Sequence, residues 1–435
     1  MQPFFQSLAC FTLSQTASNS HFPVRYFEKT GGFLNHTNQI KFISFDPFRE
    51  ISLVEKHWKV MLKKSNQHYF LSWGWISTWL ESLKGKVDVR FIVGFQQDEP
   101  IVSFFIGVVA KKKFGIFSSN TISLNSTGSP YFDELYLEYN DVLHDPTVHI
   151  SLDDLLLAVE NIPWDEFLLP GLAFSFVKDT SVLAASRKKL AWVLVDEESP
   201  ACYVDLGQVR ASDMDYLRLI SSNKRSQIRR SIKEYEKSGK IEIIEAESLQ
   251  QAQAFFSEMV ILHQKEWESR GRAGAFSNEY LLQFHKDLIS SRFNFGEIQM
   301  LKIFNSNMVI GILYSFIYDG RIYFYQSGLN YLPGNIYRPG MVAHYLSILH
   351  NAKNGLIYYD FLAGDASYKT SLATDSQPVY WLRLFHSPLK YYFELGVRRV
   401  KLGIKSVPAI ATWLRKLKVL LRRTPPQPEG GVGFE

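Results

Sequence analysis

The stretch IQMLKIFNSNMVIGILYSFIYDGRIYFYQ, residues 298–326, decides the fold. It holds three apolar runs, Ile298–Phe304, Val309–Ile317 and Ile322–Gln326. Asn305-Ser306-Asn307 parts the first two, and Tyr318-Asp319-Gly320-Arg321 parts the last two. Runs of this length rich in Ile, Val, Phe and Tyr read as strands. Short Asn/Asp/Gly turns between them predict an antiparallel meander. Just upstream, Tyr280, Leu281, Phe284 and Leu288 fall at helical spacing. The same order occurs earlier in the chain. A helix pattern (Phe70, Trp75, Trp79, Leu83) precedes a strand Val89–Phe95, a polar turn Gln96-Gln97-Asp98-Glu99, a strand Ile101–Val109 and a short strand Phe114–Phe117. The offset is 206 residues at the helix and 208 at the last strand. A nearly constant offset of this size implies an internal duplication.

Working outward, each meander is followed by a helix and a further strand. These are Leu152–Val159 with Trp164–Leu169, and Pro339–Ala352 with Leu356–Leu362. A helix crossing between strands adds a parallel component to the antiparallel portion, so the fold class is α/β with mixed sheets. The expected units are a loose leader at 1–50, two repeated domains at 51–210 and 211–385, a basic helical tail at 386–423 and a disordered end at 424–435. Ser221–Ser238, between the halves, reads as a basic amphipathic helix carrying Arg225, Arg229 and Arg230.

Composition sets the outer bounds. A chain of 435 residues with 46% apolar and 21% charged residues can bury large cores and is not disordered throughout. The best apolar run, Ile101–Ala110, is strand-sized and stops at Lys111-Lys112-Lys113, so no membrane span is expected. Cys10 and Cys202 cannot form a disulfide framework, and the first residues lack the basic start of a signal peptide. A cytoplasmic location is expected. No GxSxG, HExxH, P-loop or GxGxxG at a strand–helix joint occurs, which removes hydrolase, zinc-enzyme and NTPase readings. No metal and no DNA partner are expected.

Several residues carry chemistry by type and place. In Arg338-Pro339-Gly340-Met341, proline suits the first helical position, and glycine lets a ligand approach the backbone. Free N–H groups there, with a guanidinium beside them, make an anion site; the plain alternative is an ordinary loop-to-helix joint. Asp360 ends a largely buried aromatic strand, where a carboxylate is either paired or functional. Lys369, close behind, is its candidate partner, whether as a structural tie or facing an anionic ligand. Tyr323, Tyr325, Tyr358 and Tyr368 flank the same groove. His263, His285 and His344 are possible bases without metal-ligand spacing. Arg225, Arg229 and Arg230 suit phosphate contact or a solvated face paired with Glu234 and Glu236.

Two segments together carry a resemblance. They are Tyr337-Arg338-Pro339-Gly340 and Tyr359-Asp360-Phe361-Leu362-Ala363-Gly364-Asp365-Ala366-Ser367-Tyr368-Lys369. With the element order over about residues 55–385, they resemble the CelD-like branch of the GNAT acyltransferase superfamily, itself similar to Fem-type peptidyltransferases with paired GNAT domains. The resemblance implies tandem GNAT-like domains, with the C-terminal copy the better preserved and the N-terminal one non-catalytic. It implies an acyltransferase using acetyl-CoA or another acyl-CoA as co-substrate. Transfer would be direct, to an amine or hydroxyl of a sugar or cell-envelope (exopolysaccharide) precursor, a small-molecule or glycan acceptor. Arg338, Gly340 and Met341 would hold the donor, Asp360, Tyr368 and Lys369 would act in catalysis, and Tyr325, Arg225 and Arg229 would meet substrate. Tyr368 would serve as the acid for the departing thiolate. The strict phosphate loop of the superfamily is absent, and its nearest counterpart is Arg338–Ala343. Two further readings stand beside this one: a Fem-type transferase using aminoacyl-tRNA, and a non-catalytic double-GNAT scaffold of polysaccharide synthesis.

The net charge of +5 is concentrated at one end. Residues 386–423 hold ten Lys/Arg and one acid, Glu394, a net +9. Within them Val400, Ile404, Val407, Ile410, Leu414, Leu417 and Leu421 recur at steps of three and four, and Pro408 breaks the run into two helices. That pattern predicts peripheral contact with an anionic membrane, at its inner face, through the basic helices.

Overall fold

Register in the two meanders starts at their turns. In the computed structural model, which describes residues 40–65, 67–113, 117–184, 191–306 and 308–406, Gln97-Asp98 and Asp319-Gly320 each take two successive left-handed conformations. That is the backbone of a type I′ hairpin, whose twist matches the flanking strands. The first half runs β1 (Lys41–Phe45), helices Ile51–Lys64 and Trp73–Leu83, then β2 (Asp88–Gln96), β3 (Glu99–Lys113) and β4 (Phe117–Leu124). A two-residue β5 (Leu143–His144), helix Leu152–Ala158, β6 (Glu166–Leu172), helix Phe174–Thr180 and β7 (Trp192–Asp205) complete it. Helices Leu206–Ala211 and Ser222–Glu236 lead to the second half. There β8 (Ile241–Glu245), helices Leu249–Ser269 and Glu279–Arg292, β9 (Ile298–Asn305), β10 (Met308–Tyr318) and β11 (Arg321–Leu329) follow in the same order. Helix Pro339–Lys353, β12 (Tyr358–Ala363), helix Ser367–Leu372 and β13 (Asp375–Phe385) close it, and helix Pro388–Ser406 comes last. Apart from β5, every strand of one half has its counterpart in the other.

All the named strands join one sheet, in the order β1-β2-β3-β4-β6-β13-β7-β12-β11-β10-β9-β8, with β5 on β3. The pairs β4/β6 and β11/β12 are parallel and each is bridged by a crossover helix; the rest are antiparallel. At the centre the closing strands are exchanged. β13, from the end of the second half, pairs with β6 of the first, while β7 pairs with β12 of the second. β7 and β13 also pair with each other from Asp375↔Tyr203 to Phe385↔Trp192. A division at residue 210 therefore cuts between strands that are neighbours in the sheet.

Among the described residues, three cores cover the two faces. The largest is shared by both halves. Trp58, Trp75 and Trp79 from the first pack with Phe256, Phe284 and Tyr314 from the second. A first-half core under Leu152–Ala158 and Phe174–Thr180 and a second-half core under Ser222–Glu236 and Pro339–Lys353 lie on the opposite face. Full burial of one large apolar side chain contributes about 1.5–3 kcal/mol, so the shared core binds the halves strongly.

One expectation needs amending. Residues 1–50 are not all leader, because Lys41–Phe45 pairs along β2 through Phe45↔Phe91, and Phe45 packs against the shared core; residues 1–39 lie outside the described residues. The helix Pro388–Ser406 runs to the last described residue, and the expected break at Pro408, the second tail helix and the 424–435 end lie outside the described residues.

Candidate active site

β11 and β12 start side by side and then part. They pair through Arg321↔Tyr358, Ile322↔Tyr359 and Tyr323↔Asp360, after which β11 continues to Leu329 and β12 to Ala363 without further pairing. Backbone groups facing such a gap lack a strand partner and can receive an extended ligand chain. β12 turns away from β11 because its register against β7 shifts between Asp360 and Ala363, with Leu362 at φ 61°. A left-handed leucine costs on the order of 1–3 kcal/mol. Asp360 offsets part of it, since its Oδ1 accepts from Leu362 N at 2.8 Å.

The corresponding parting of β4 and β6, after Ser123↔Leu168, is closed. Asn140 fills it: its Nδ2 donates to Leu124 O at 3.1 Å and Pro170 O at 2.9 Å, and its backbone pairs with Gly171 and Ala173. Asn140 belongs to the segment linking β4 to the next helix (residues 125–151), far longer than the second-half link at 330–338. The same segment floors the open gap. Tyr325 Oη donates to Leu135 O at 2.9 Å, Ala363 N donates to Glu138 Oε2 at 2.5 Å, and Tyr139 Oη donates to Asp360 Oδ2 at 2.7 Å. One insertion thus seals the first-half gap and lines the second-half one.

Different chemistry lies on the two faces of the gap. On the face of helix Pro339–Lys353, the Tyr368 ring stacks on His344 at 5.5 Å and meets Phe361 edge-on. Burial raises the Tyr368 phenol above its ordinary pKa, so it stays protonated at neutral pH. Its hydroxyl has no hydrogen-bond partner among the described residues. On the other face, Glu138 is buried, and burial pushes its carboxyl well above the usual range against the opposing pull of Lys369. Glu197, half-buried on β7, is raised to about 7 by burial and by the charge of Asp365. An acid held protonated thus stands on one side, and on the other Glu138, held to Ala363 N, feels the charge of Glu197, a carboxyl titrating near neutrality.

The Asp360–Lys369 pair expected from sequence is not formed. Asp360, fully buried, pairs with Arg321 Nη1 at 2.8 Å, and Arg321 lies 4.4 Å from the Tyr358 ring centre. Lys369 instead donates from Nζ to Leu362 O at 3.1 Å and to Ala363 O, tying down the turn. Burial lowers its pKa, with Glu138 the largest opposing charge. Gly364, at φ 138°, lets the chain turn over this ammonium, and a Cβ there would meet Nζ at 3.0 Å. Lys369 is 2% exposed, so it does not face a ligand.

The remaining candidates divide. Pro339 takes the first helical position, and Gly340 and Met341 are partly exposed at that helix start. Arg338 N donates to Ser231 Oγ at 3.0 Å, so the helix bearing Arg225 and Arg229 abuts this helix entry. Arg229 is exposed and Arg225 half-buried; Glu234 pairs with Lys237 rather than with an arginine. Tyr325 is buried and its hydroxyl holds the floor, so it acts as a strut rather than a substrate contact. Burial lowers His263 to about 4 and both His285 and His344 to about 3. Each is engaged, with Trp267, Tyr314 and Tyr359 respectively, as a core histidine. Sequence reasoning missed Glu138, Glu197, Tyr139 and Arg321. Glu138 and Tyr139 lie in an irregular loop with no periodicity, and Glu197 and Arg321 are brought in by strand register. No group of three or more metal-capable side chains occurs among the described residues, nor any helix there long and apolar enough to cross a membrane.

Residues 222–370 match the Acetyltransferase (GNAT) domain family. No curated protein sequence matches the chain. Solved structures similar to it include FemX, 9% identical over 78% of this chain and 97% of that one, with a TM-score of 0.49. Another is the C-terminal domain of a putative lysylphosphatidylglycerol synthetase from Agrobacterium fabrum, 8% identical over 80% and 96%, TM-score 0.45. A third is a tandem GNAT protein from the clavulanic acid biosynthesis pathway, 8% identical over 80% and 99%, TM-score 0.44.

Proposed function

We propose that this chain, an acyltransferase whose residues 222–370 constitute a GNAT domain, transfers an acyl group directly from an acyl-CoA thioester to an amine or hydroxyl of a sugar or cell-envelope precursor. The observation that carries the reading is the parting of β11 from β12, open in the second half and closed by Asn140 in the first. The donor's pantetheine arm lies along the unpaired backbone of β11. Its pyrophosphate meets the N–H groups of Gly340 and Met341 and the Arg338 guanidinium, where the helix end favours negative charge. The acceptor approaches from the Glu138 and Glu197 side. Its nitrogen or oxygen attacks the thioester carbon and gives up its proton to Glu197, and the C–S bond breaks. The thiolate then takes a proton from Tyr368. Holding both reactants in one gap supplies much of the rate, and a Tyr acid adds about 10²-fold or more.

A second reading keeps the chemistry and changes the donor to aminoacyl-tRNA. It is favoured by the exposed Arg229 and Arg230 on the helix that abuts the Arg338–Gly340 entry. Titration calorimetry with acetyl-CoA, CoA and aminoacyl-tRNA tests both. Gly340→Val crowds the helix entry, where an added Cβ alone would meet Leu329 Cδ1 at 3.2 Å, and should weaken CoA binding at least about tenfold. A folded Gly340→Val protein with unchanged CoA affinity removes the donor site from this helix.

A further inference from the structure

The last described helix, Pro388–Ser406, is held to the protein by a polar stripe beside the packing of Tyr391 on Phe385 and Trp192. Lys390, Glu394 and Arg398 recur every four residues and so form one stripe. Each is tied down: Lys390 Nζ to Asp165 at 2.5 Å, Glu394 to Arg383 at 3.2 Å, and Arg398 Nη2 to Asp196 at 3.3 Å. Arg398 also donates to Val195 O and Asp196 O, both at 2.7 Å. Its apolar side chains divide: Tyr391 packs on Trp192 and Phe385, and Tyr392 touches Trp192 with one edge, while the most exposed ones face outward. Leu389 is 81% exposed, Tyr392 57% and Phe393 56%, and Gly396 and Arg399 on the same side are exposed too. A helix that only capped the sheet would bury this stripe and present its charges to water.

We infer that this outward stripe of Leu389, Tyr392 and Phe393, with Arg399 beside it, seats the protein on an anionic lipid surface. The charge of the neighbouring chain selects that occupant. From Lys401 to Arg423 the sequence carries seven more Lys/Arg and no acid, while its apolar residues continue at steps of three and four. So cationic a continuation repels its own helix, and a second copy would bring another +9 segment against the first. An anionic headgroup layer meets both needs, because apolar side chains enter the interface while Lys and Arg stay among phosphates. A nucleic acid would take the cations but leave Leu389 and Phe393 in water. The inference stands apart from the catalytic reading and does not depend on it.

Vesicle co-sedimentation of the full chain tests it, with vesicles of phosphatidylcholine alone and of phosphatidylcholine with phosphatidylglycerol, at low and physiological salt. The expected result is binding to the anionic vesicles that weakens with salt, as exposed charges are screened. Leu389→Asp and Arg399→Glu should each lower partitioning by about tenfold with the melting temperature unchanged, since both side chains lie in solvent. Equal sedimentation with neutral vesicles, or anionic binding that Leu389→Asp leaves intact, overturns the inference. So does a concentration-dependent dimer that Leu389→Asp abolishes, which would make the stripe a contact between copies. Binding to RNA of equal strength in wild type and Leu389→Asp, without vesicle binding, would overturn it as well.

Discussion

Replacing Asp360 by Asn distinguishes a structural carboxylate from a reacting one. Asp360 is fully buried and makes three contacts: Arg321 Nη1 at 2.8 Å, Tyr139 Oη at 2.7 Å and Leu362 N at 2.8 Å. Asparagine keeps the shape and one acceptor but removes the charge opposite Arg321. Breaking one partner of a buried pair costs about 3–5 kcal/mol, and here the 16% exposure of the Arg321 side chain favours the lower part of that range. With an unfolding entropy of roughly 2.1 cal/mol/K per residue over 435 residues, ~3 kcal/mol lowers the melting temperature by about 3–4 °C. The companion variant Arg321→Met removes the cation instead, and Arg321→Met/Asp360→Asn removes both. The double variant should recover most of the loss, because no lone buried charge remains. Calorimetric melting of the four proteins, with turnover per folded molecule measured on each, is the assay. If Asp360→Asn melts with wild type yet loses activity, the carboxylate belongs to the chemistry and the account of it as an anchor is wrong.

Three further outcomes follow from the gap and its surroundings. Tyr368→Phe should lower kcat by about 10²-fold and leave the melting temperature alone, because the hydroxyl has no partner among the described residues; an unchanged kcat removes it as the acid. Activity should rise with pH through about 7 as Glu197 loses its proton, and Glu197→Gln should abolish that rise. A variant that keeps the same pH profile would move the base elsewhere. Burial holds His344 at about 3, below its ordinary 6.5, so the unfolded chain binds its proton first and stability is lost as pH falls from 6.5. The stability difference between wild type and His344→Gln should therefore shift against wild type by about 1.4 kcal/mol per pH unit from 6.5 to 4 in denaturant titrations; a constant difference would refute it.

What the sequence disclosed tracks what is local. The meander Ile298–Gln326 was legible because β-rich runs and left-handed turn residues such as Asp319-Gly320 act over a few positions. Pro339 marked its helix start for the same reason. From sequence Asp360 is either paired or functional with Lys369 as its candidate partner, yet the cation it pairs with is Arg321. Arg321 reaches it only through the parallel register Arg321↔Tyr358, which no local pattern encodes. Glu138 was invisible, since it comes from an irregular insertion of the other half whose length, not composition, sets it apart. The β7/β13 exchange had no signature either. Both strands look like ordinary closing strands wherever they pair.

That exchange imposes an order on biosynthesis. β6 is finished at Leu172, but the strand that covers its free edge, β13, ends at Phe385. At a translation speed of about 5–20 residues per second, β6 waits roughly 10–40 s on the ribosome with an open edge. During that wait β7 is the nearest strand in sequence, and it can settle against β6 as an unexchanged closure that must later be undone. An unpaired edge held that long is a hazard for aggregation. Vectorial folding of the first half, one domain at a time, is thus unavailable to this chain. Neither half can reach its native pairing when made alone, and two separately made halves can do so only by meeting each other.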